Sequence, residues 1–468
     1  MKNKLLLLTL FFLSNLTFAQ NKPNEKVAAE FENNYNSNQF ETIFESFSQD
    51  MKEALPLDQT VQFLSGLKLQ VGRITEREFV AIQHQSYASY KTTFEKGILS
   101  VNISVDKNGD VNGLFIQPFK EIDKEEVSAV NALINLPKNQ SDILFNHTQQ
   151  FPNHTQVSIA LIENGFPTFY GITKENDSIK FTNNKDKVFE IGSISKVFTA
   201  TLLANAWINK KIKEDETINS FYNFPFKNNI EISFKSLANH TSGLDRLPSN
   251  LGEENPENPY KTYDEAKLNS YLKNDLKRNH KTGEKYAYSN LGAGLLGFTL
   301  VKMEKSNYEH LLTKQLFKKY QMNSSTTQRT NIEDKLVIGL NSEGNEVSNW
   351  DFDTLAGAGG IFSTVDDLSK FILAHFNPKN KELEWTRKPT FRVSDAMEIG
   401  LGWHILTDES GDVIYWHNGG TGGYSSSITM DTNLKNAVII LSNVSAFNPS
   451  ADNINQLSFE LLKTLERK

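Results

Sequence analysis

The stretch Glu190-Ile191-Gly192-Ser193-Ile194-Ser195-Lys196-Val197-Phe198-Thr199-Ala200 joins a small polar turn to an apolar run, with Ser193 and Lys196 three residues apart. If a helix starts near Ser193, that spacing puts both side chains on one face. A helix start also brings free backbone N–H groups and the positive end of the dipole beside the serine. Such surroundings suit a nucleophile whose acyl intermediate carries an oxyanion. Spacing by itself singles out nothing, because Ser65/Lys68, Ser104/Lys107 and Ser270/Lys273 share it. Two further motifs follow in order. Tyr288-Ser289-Asn290 is introduced by Lys281-Thr282-Gly283-Glu284. His417-Asn418-Gly419 ends a predicted strand and runs into Gly420-Thr421-Gly422-Gly423-Tyr424-Ser425.

A serine hydroxyl is a poor nucleophile until a base takes its proton during attack. Tyrosine and lysine, with ordinary pKa values of about 10 and 10.4, are not bases at neutral pH. Close together in a water-poor cleft, each shifts the other: an ammonium stabilises phenolate, or desolvation favours the neutral amine. The two titrate as a coupled pair, so the sequence leaves open which of Lys196 and Tyr288 holds the proton.

Several elements must position these groups. Phe40, Ile43, Phe44 and Phe47, then Leu57, Val61, Leu64 and Leu67, fall at helical spacing on either side of Pro56. Ile98 to Val105 and Val111 to Ile116 read as a hairpin about Asn108-Gly109, whose Asp106, Asn108 and Asp110 fit a surface turn better than a calcium loop. After a polar connector with a helix before Pro152, Val157 to Ile162 and Pro167 to Ile172 read as paired strands. The Ser193 helix runs to Ile208, with Asn209 placed to end it in the left-handed conformation. Leu291 to Met303 is helical, and Ser363 with Asp366 caps a helix over Val365 to Phe376. Val413 to Trp416, Ser426 to Met430 and Ala437 to Leu441 read as strands, and a helix over Asn455 to Leu465 follows. The fold class is α/β of the α+β type. An antiparallel sheet forms from both ends of the catalytic domain, flanked by helices and holding a helical insert, behind a small α+β cone-like domain.

Met1 to Ala19 reads as a secretory signal: Lys2 and Lys4, an apolar core, then Thr17-Phe18-Ala19. The chain has 468 residues and no cysteine, which excludes disulfides, thiol nucleophiles and zinc–thiolate sites. Its formal charge is −7, and removing Lys2 and Lys4 with the signal makes it −9. With no basic stripe, nucleic acid is not an expected partner. Outside the signal no apolar run reaches membrane-spanning length. No Gly-x-Ser-x-Gly elbow, His-Glu-x-x-His pair or phosphate-binding Gly-rich loop is present.

The three motifs in this order resemble the serine β-lactamase/penicillin-binding-protein-like superfamily, its class C β-lactamases in particular. Secondary phrases agree: Leu237-Ala238-Asn239-His240-Thr241-Ser242-Gly243-Leu244, Gly359-Gly360-Ile361-Phe362-Ser363-Thr364 and Gly400-Leu401-Gly402-Trp403. The likeness runs from about Val157 to the C-terminus. More weakly, Phe47-Ser48-Gln49-Asp50-Met51-Lys52 through Leu64-Ser65-Gly66-Leu67-Lys68 resembles a nuclear-transport-factor-2-like family. The expected organisation is a signal at 1–19, a small α+β domain at 20–123, a connector at 124–152 and a serine hydrolase domain at 153–468.

The resemblance implies Ser193 as acylated nucleophile, with Lys196 and Tyr288 sharing acid and base work. Asn290 is implied to hydrogen-bond Lys196 or the substrate amide, and the backbone N–H groups of Ser193 and Gly420 to bind the oxyanion. His240 is expected to order a loop beneath the site. The departure is the third motif. Class C β-lactamases generally carry Lys-Thr-Gly, whose cation and hydroxyl help hold a substrate carboxylate. His417 is mostly neutral at pH 7 and Asn418 has no hydroxyl; the His-x-Gly form through Gly419 resembles that of D-aminopeptidases, carboxypeptidase-like hydrolases and esterases. The expectation is an exported hydrolase, periplasmic or secreted and bacterial, acting on an amide, peptide or ester without metal or organic cofactor. Its expected partner is a small-molecule or peptide substrate of cell-wall type, and no membrane anchor remains after signal cleavage. A β-lactamase is the rival enzyme, and a catalytically silent penicillin-binding or sensor protein the rival from another class.

Overall fold

A computed structural model describes residues 22–83, 87–106, 108–119, 129–133, 138–251, 258–408 and 411–465. The signal-like segment 1–19 lies outside them. The chain divides into two compact units, Met1–Glu126 and Val127–Lys468.

In the smaller unit, helices α1 (Lys22–Asn36), α2 (Phe40–Glu45), α3 (Gln49–Ala54) and α4 (Leu57–Val71) precede strands β1 (Ile74–Gln83), β2 (Tyr87–Phe94), β3 (Gly97–Val105) and β4 (Val111–Pro118). The strands form one antiparallel sheet in chain order. Its core gathers Phe31, Tyr35 and Phe40 from the helices against Tyr90, Phe94, Val101 and Ile103 from the strands. The β3–β4 turn is closed by Asp106 Oδ1, which accepts from the N–H groups of Asn108 and Asp110 at 2.8 and 3.0 Å. That is the surface turn expected there.

The larger unit opens with β5 (Val130–Asn131) and α5 (Lys138–Thr148), both within the stretch read as a connector. It continues through β6 (Gln156–Glu163), β7 (Phe166–Glu175), β8 (Ser178–Thr182), α6 (Ser195–Ile208), α7 (Asn290–Glu304) and α8 (Val365–His375). Strands β9 (Phe391–Arg392), β10 (Met397–Ile399), β11 (His404–Thr407), β12 (Val413–Gly420), β13 (Ser425–Asp431) and β14 (Asn436–Ser442) follow, then α9 (Asn453–Thr464). One ten-stranded sheet results, in the order β9-β10-β11-β12-β13-β14-β6-β7-β8-β5. Every pairing is antiparallel except that of β5 with β8. The early strand β6 therefore lies against the late strand β14, Val157 opposite Ser442.

Side-chain alternation splits these strands between two cores. Val157, Ile159, Leu161, Val438 and Ile440 face α5 and α9. Ala160, Ile162, Ala437, Ile439 and Leu441 face the layer containing α6, α7 and α8. Helix α6 is buried from Ser195 to Ala204, mostly by apolar side chains, and its buried polar groups on Ser195, Lys196, Thr199 and Thr201 are hydrogen-bonded.

Two helix ends differ from expectation. Asn209 follows α6 with φ −82°, and the left-handed residue is Lys210, φ +54°. Thr364 rather than Ser363 caps α8, accepting from Asp367 N at 3.0 Å; the Ser363 hydroxyl is taken up by Ser325 at 2.8 Å. Among the described residues no helix is long and apolar enough to cross a membrane.

Candidate active site

Ser193 occupies a 3₁₀ turn, Gly192–Ile194, immediately before α6. The turn is held from two sides. The hydroxyl of Ser195 accepts from Ile361 N at 3.1 Å, and that of Ser426 on β13 donates to Ile191 O at 2.9 Å. Gly192 has φ +51°, and a Cβ there would stand 2.5 Å from Gly420 N. Gly419 likewise has no room for a side chain, because a Cβ would overlap Ile191 O. Glycine at both positions lets the nucleophile turn press against the end of β12.

That strand end is open on one side. Pairing of β11 with β12 stops at His404–Trp416, whereas β13 follows β12 on to Gly420 opposite Ser425. Thr421 N donates to Tyr424 O at 2.9 Å across that last pair, which makes it a non-hydrogen-bonded pair. The Gly420 N–H therefore points away from β13, toward the Ser193 turn.

One helical turn on from the nucleophile, Lys196 is 2% exposed. Its Nζ lies 2.8 Å from Ser193 Oγ and donates to Ala358 O at 2.7 Å. Burial, then the neighbouring Arg246 charge, hold its pKa well below the lysine range. Tyr288 comes from the segment entering α7. Its hydroxyl approaches Ser193, and burial raises its pKa above the tyrosine range, an effect that the nearby serine opposes. Lys196 Nζ stands 5.0 Å from the Tyr288 ring centroid and the Arg246 guanidinium 5.1 Å.

His240, expected beneath the site, supports Tyr288 directly. Its ring lies over the tyrosine, 4.4 Å between centroids, and its Nδ1 accepts from Ser289 N at 3.1 Å. The Ser289 hydroxyl caps α7 by accepting from Gly292 N at 2.8 Å and donates to Asp245 O at 2.6 Å.

Of the two contacts implied for Asn290, the one to Lys196 is not made, and its Oδ1 has no hydrogen-bond partner. Its Nδ2 donates to the Tyr260 hydroxyl at 3.1 Å rather than meeting Lys196, and the lysine is satisfied by Ala358 O instead. His417 is fully buried. A carbonyl can only accept, so Nδ1, 2.6 Å from Asn418 O, carries the proton. Its Nε2 has no hydrogen-bond partner. Burial chiefly, then His404 and Lys196, keep the ring neutral.

Sequence reasoning left out Tyr286, Arg246 and His404. The Tyr286 hydroxyl lies 2.9 Å from His404 Nε2, and the His404 and His417 rings are 5.3 Å apart. Burial brings His404 down to about 4. Both follow quoted phrases directly, Gly402-Trp403 for His404 and the approach to Tyr288 for Tyr286, and adjacency was the only available signal.

A family model described as Beta-lactamase matches residues 146–463, and one described as a protein of unknown function, DUF3887, matches 28–114. Protein flp of Staphylococcus aureus (strain MW2) is 24% identical over 340 residues, covering 67% of this chain and 64% of its own. Beta-lactamase-like protein 4 of Dictyostelium discoideum is 30% identical over 257 residues, 48% of this chain and 42% of its own. This chain thus spans less than two thirds of the length of either. Among solved structures, a β-lactamase/D-alanine carboxypeptidase from Pseudomonas syringae superposes with TM-score 0.60 at 20% identity, covering 70% of this chain and 99% of that one. A class C β-lactamase gives TM-score 0.60 at 22% identity, with 75% and 99% covered. At these identities the likeness shows the fold.

Proposed function

The chain belongs to the β-lactamase family, and from that membership we propose an exported serine hydrolase that works through an acyl-enzyme on Ser193. Its substrate is an amide, peptide or ester, either a D-amino-acid peptide of cell-wall type or a related carboxylic ester. The contact that carries the reading is Lys196 Nζ at 2.8 Å from Ser193 Oγ, on a lysine whose pKa burial holds well below the ordinary lysine range.

Lys196 is the base and Tyr288 the acid in this reading, which follows from the opposite directions in which burial moves them. As Ser193 Oγ bonds to the carbonyl carbon, its proton passes to the Lys196 amine. The oxygen that becomes negative meets the N–H groups of Ser193 and Gly420; losing one such donor typically costs about a hundred- to thousandfold in rate. When the bond to the leaving group breaks, the Tyr288 hydroxyl protonates it and recovers a proton from the Lys196 ammonium. Water then attacks the ester, its proton returning by the same pair, and Ser193 is released.

β-Lactam hydrolysis is the rival. The neutral, buried His417 where a lysine would stand weighs against it, since that end of the site offers a carboxylate no cation. A silent sensor is disfavoured by the intact Ser193–Lys196–Tyr288 contacts. The deciding experiment exposes the protein and Ser193→Ala to a fluorescent penicillin, a fluorophosphonate, a D-alanyl peptide and a nitrophenyl ester. Labelling and turnover that vanish with Ser193→Ala are expected. Inertness to every probe would end the enzyme reading, and turnover that survives the substitution would end the mechanism.

A further inference from the structure

We infer that Arg246 forms an anion subsite at the mouth of this cleft and selects substrates that carry a carboxylate. The assignment rests on the acyl-enzyme reading above. Arg246 is exposed, and among the described residues its guanidinium has no carboxylate partner. It lies over the Tyr288 ring, 5.1 Å to the centroid. The acid next to it in sequence, Asp245, is engaged by Asn279 Nδ2 at 2.7 Å.

The backbone beneath the guanidinium is fixed. Arg246 O accepts from Asn290 N at 2.9 Å and from Leu291 N at 3.1 Å, the first turn of α7. Together with the Ser289–Asp245 bond, this straps Arg246 to the segment that delivers Tyr288. A group bound to the guanidinium is thereby held beside the tyrosine that serves the scissile bond.

Charge agrees with the geometry. The chain carries 56 Asp and Glu against 49 Lys and Arg; with Lys196 serving as the neutral base, the charge over the Tyr288 ring is that of Arg246. An exposed cation beside the nucleophile of an acidic protein draws anions inward. Planar guanidinium presents paired N–H donors that match a carboxylate's two oxygens. The guanidinium lies over the Tyr288 ring, so the subsite is on the Tyr288 side of the site.

The test compares kcat/KM for matched esters. Nitrophenyl hemisuccinate against nitrophenyl butyrate places the carboxylate on the acyl half; carboxyphenyl butyrate against phenyl butyrate places it on the leaving group. Taking ratios cancels any effect of Arg246 on Lys196 itself. Arg246→Gln is expected to lower the anionic-to-neutral ratio of one pair about tenfold, the scale of a charge-assisted bond at an exposed site. Arg246→Lys, which keeps charge but loses the fork, should lower it less. Thermal unfolding midpoints check that the variants fold. Ratios unchanged in both pairs by Arg246→Gln, with Ser193→Ala inactive, overturn this assignment alone. If Ser193→Ala retains turnover, the acyl-enzyme reading fails and the assignment falls with it.

Discussion

Glu190 closes the strand segment that leads into the nucleophile turn, and replacing it with glutamine should change how the larger unit responds to pH. The carboxyl is 4% exposed. Oε1 accepts from Asn349 Nδ2 at 2.8 Å and Trp350 N at 2.9 Å, and the Thr421 hydroxyl approaches without a well-formed bond. Burial outweighs these contacts and raises the pKa from 4.5 to about 7. The folded state therefore binds this proton more tightly than the unfolded one. The stability it contributes is fully present below pH 4.5 and is lost as pH rises through about 7. A shift of that size corresponds to something on the order of 3 kcal/mol. Glu190→Gln is neutral at every pH and keeps the acceptor for Asn349 and Trp350. The two proteins should match in stability near pH 4.5, diverge through the window, and differ by a constant amount above it, the variant being more stable. All five tryptophans, Trp207, Trp350, Trp385, Trp403 and Trp416, belong to the larger unit, so urea unfolding followed by their fluorescence reports that unit alone. A difference curve flat with pH, or a variant that loses stability at pH 8, refutes the reasoning.

Two further expectations concern the site. Gly192→Ala puts a Cβ 2.5 Å from Gly420 N, against backbone that cannot yield. Fluorophosphonate labelling should slow at least a hundredfold, as when an oxyanion donor is lost; labelling within tenfold of wild type would contradict the close approach. The pH profile of kcat/KM should rise as Lys196 loses its proton, with that limb well below the ordinary lysine range and no falling limb from Tyr288 before the alkaline extreme. Arg246→Gln removes the second cause of the lysine's shift and should move the limb upward; a limb near pH 10 in wild type excludes a neutral Lys196 at rest.

Much of this arrangement was legible before the structure. Apolar residues over Val157 to Ile162 and Ala437 to Leu441 marked strands, and the apolar run after Ser193 marked a helix. Motif order brought Ser193, Lys196, Tyr288 and His417 into consideration together, and the structure places Lys196 against Ser193 and over the Tyr288 ring. The misses have local causes. Ser363 and Thr364 are both good caps, and competition from Ser325 decides between them. Asn209 and Lys210 compete for the left-handed position, and backbone geometry overrides residue preference there. Asn290 gives its Nδ2 to Tyr260 while Lys196 donates to Ala358 O, far along the chain, a pairing that no local pattern announces. Arg246 and His404 come from loop or strand edges without periodicity, where one residue's chemistry shows only once its neighbours are known.

The adjacency of β6 and β14 has a consequence for the order in which the protein comes into being. Gln156 N donates to Asn443 Oδ1 at 2.6 Å, across 287 positions. Ser193 and Gly420, on either side of the proposed oxyanion position, are separated by 227 positions, about two thirds of the larger unit, and closing so long a loop is slow. A growing chain that has released Ser193 has not yet produced Gly420, nor the strand that β6 must join. Until the last strands emerge, the serine has a neighbouring lysine but no place to hold a negative oxygen. Synthesis itself delays assembly of the site until the last strands are made.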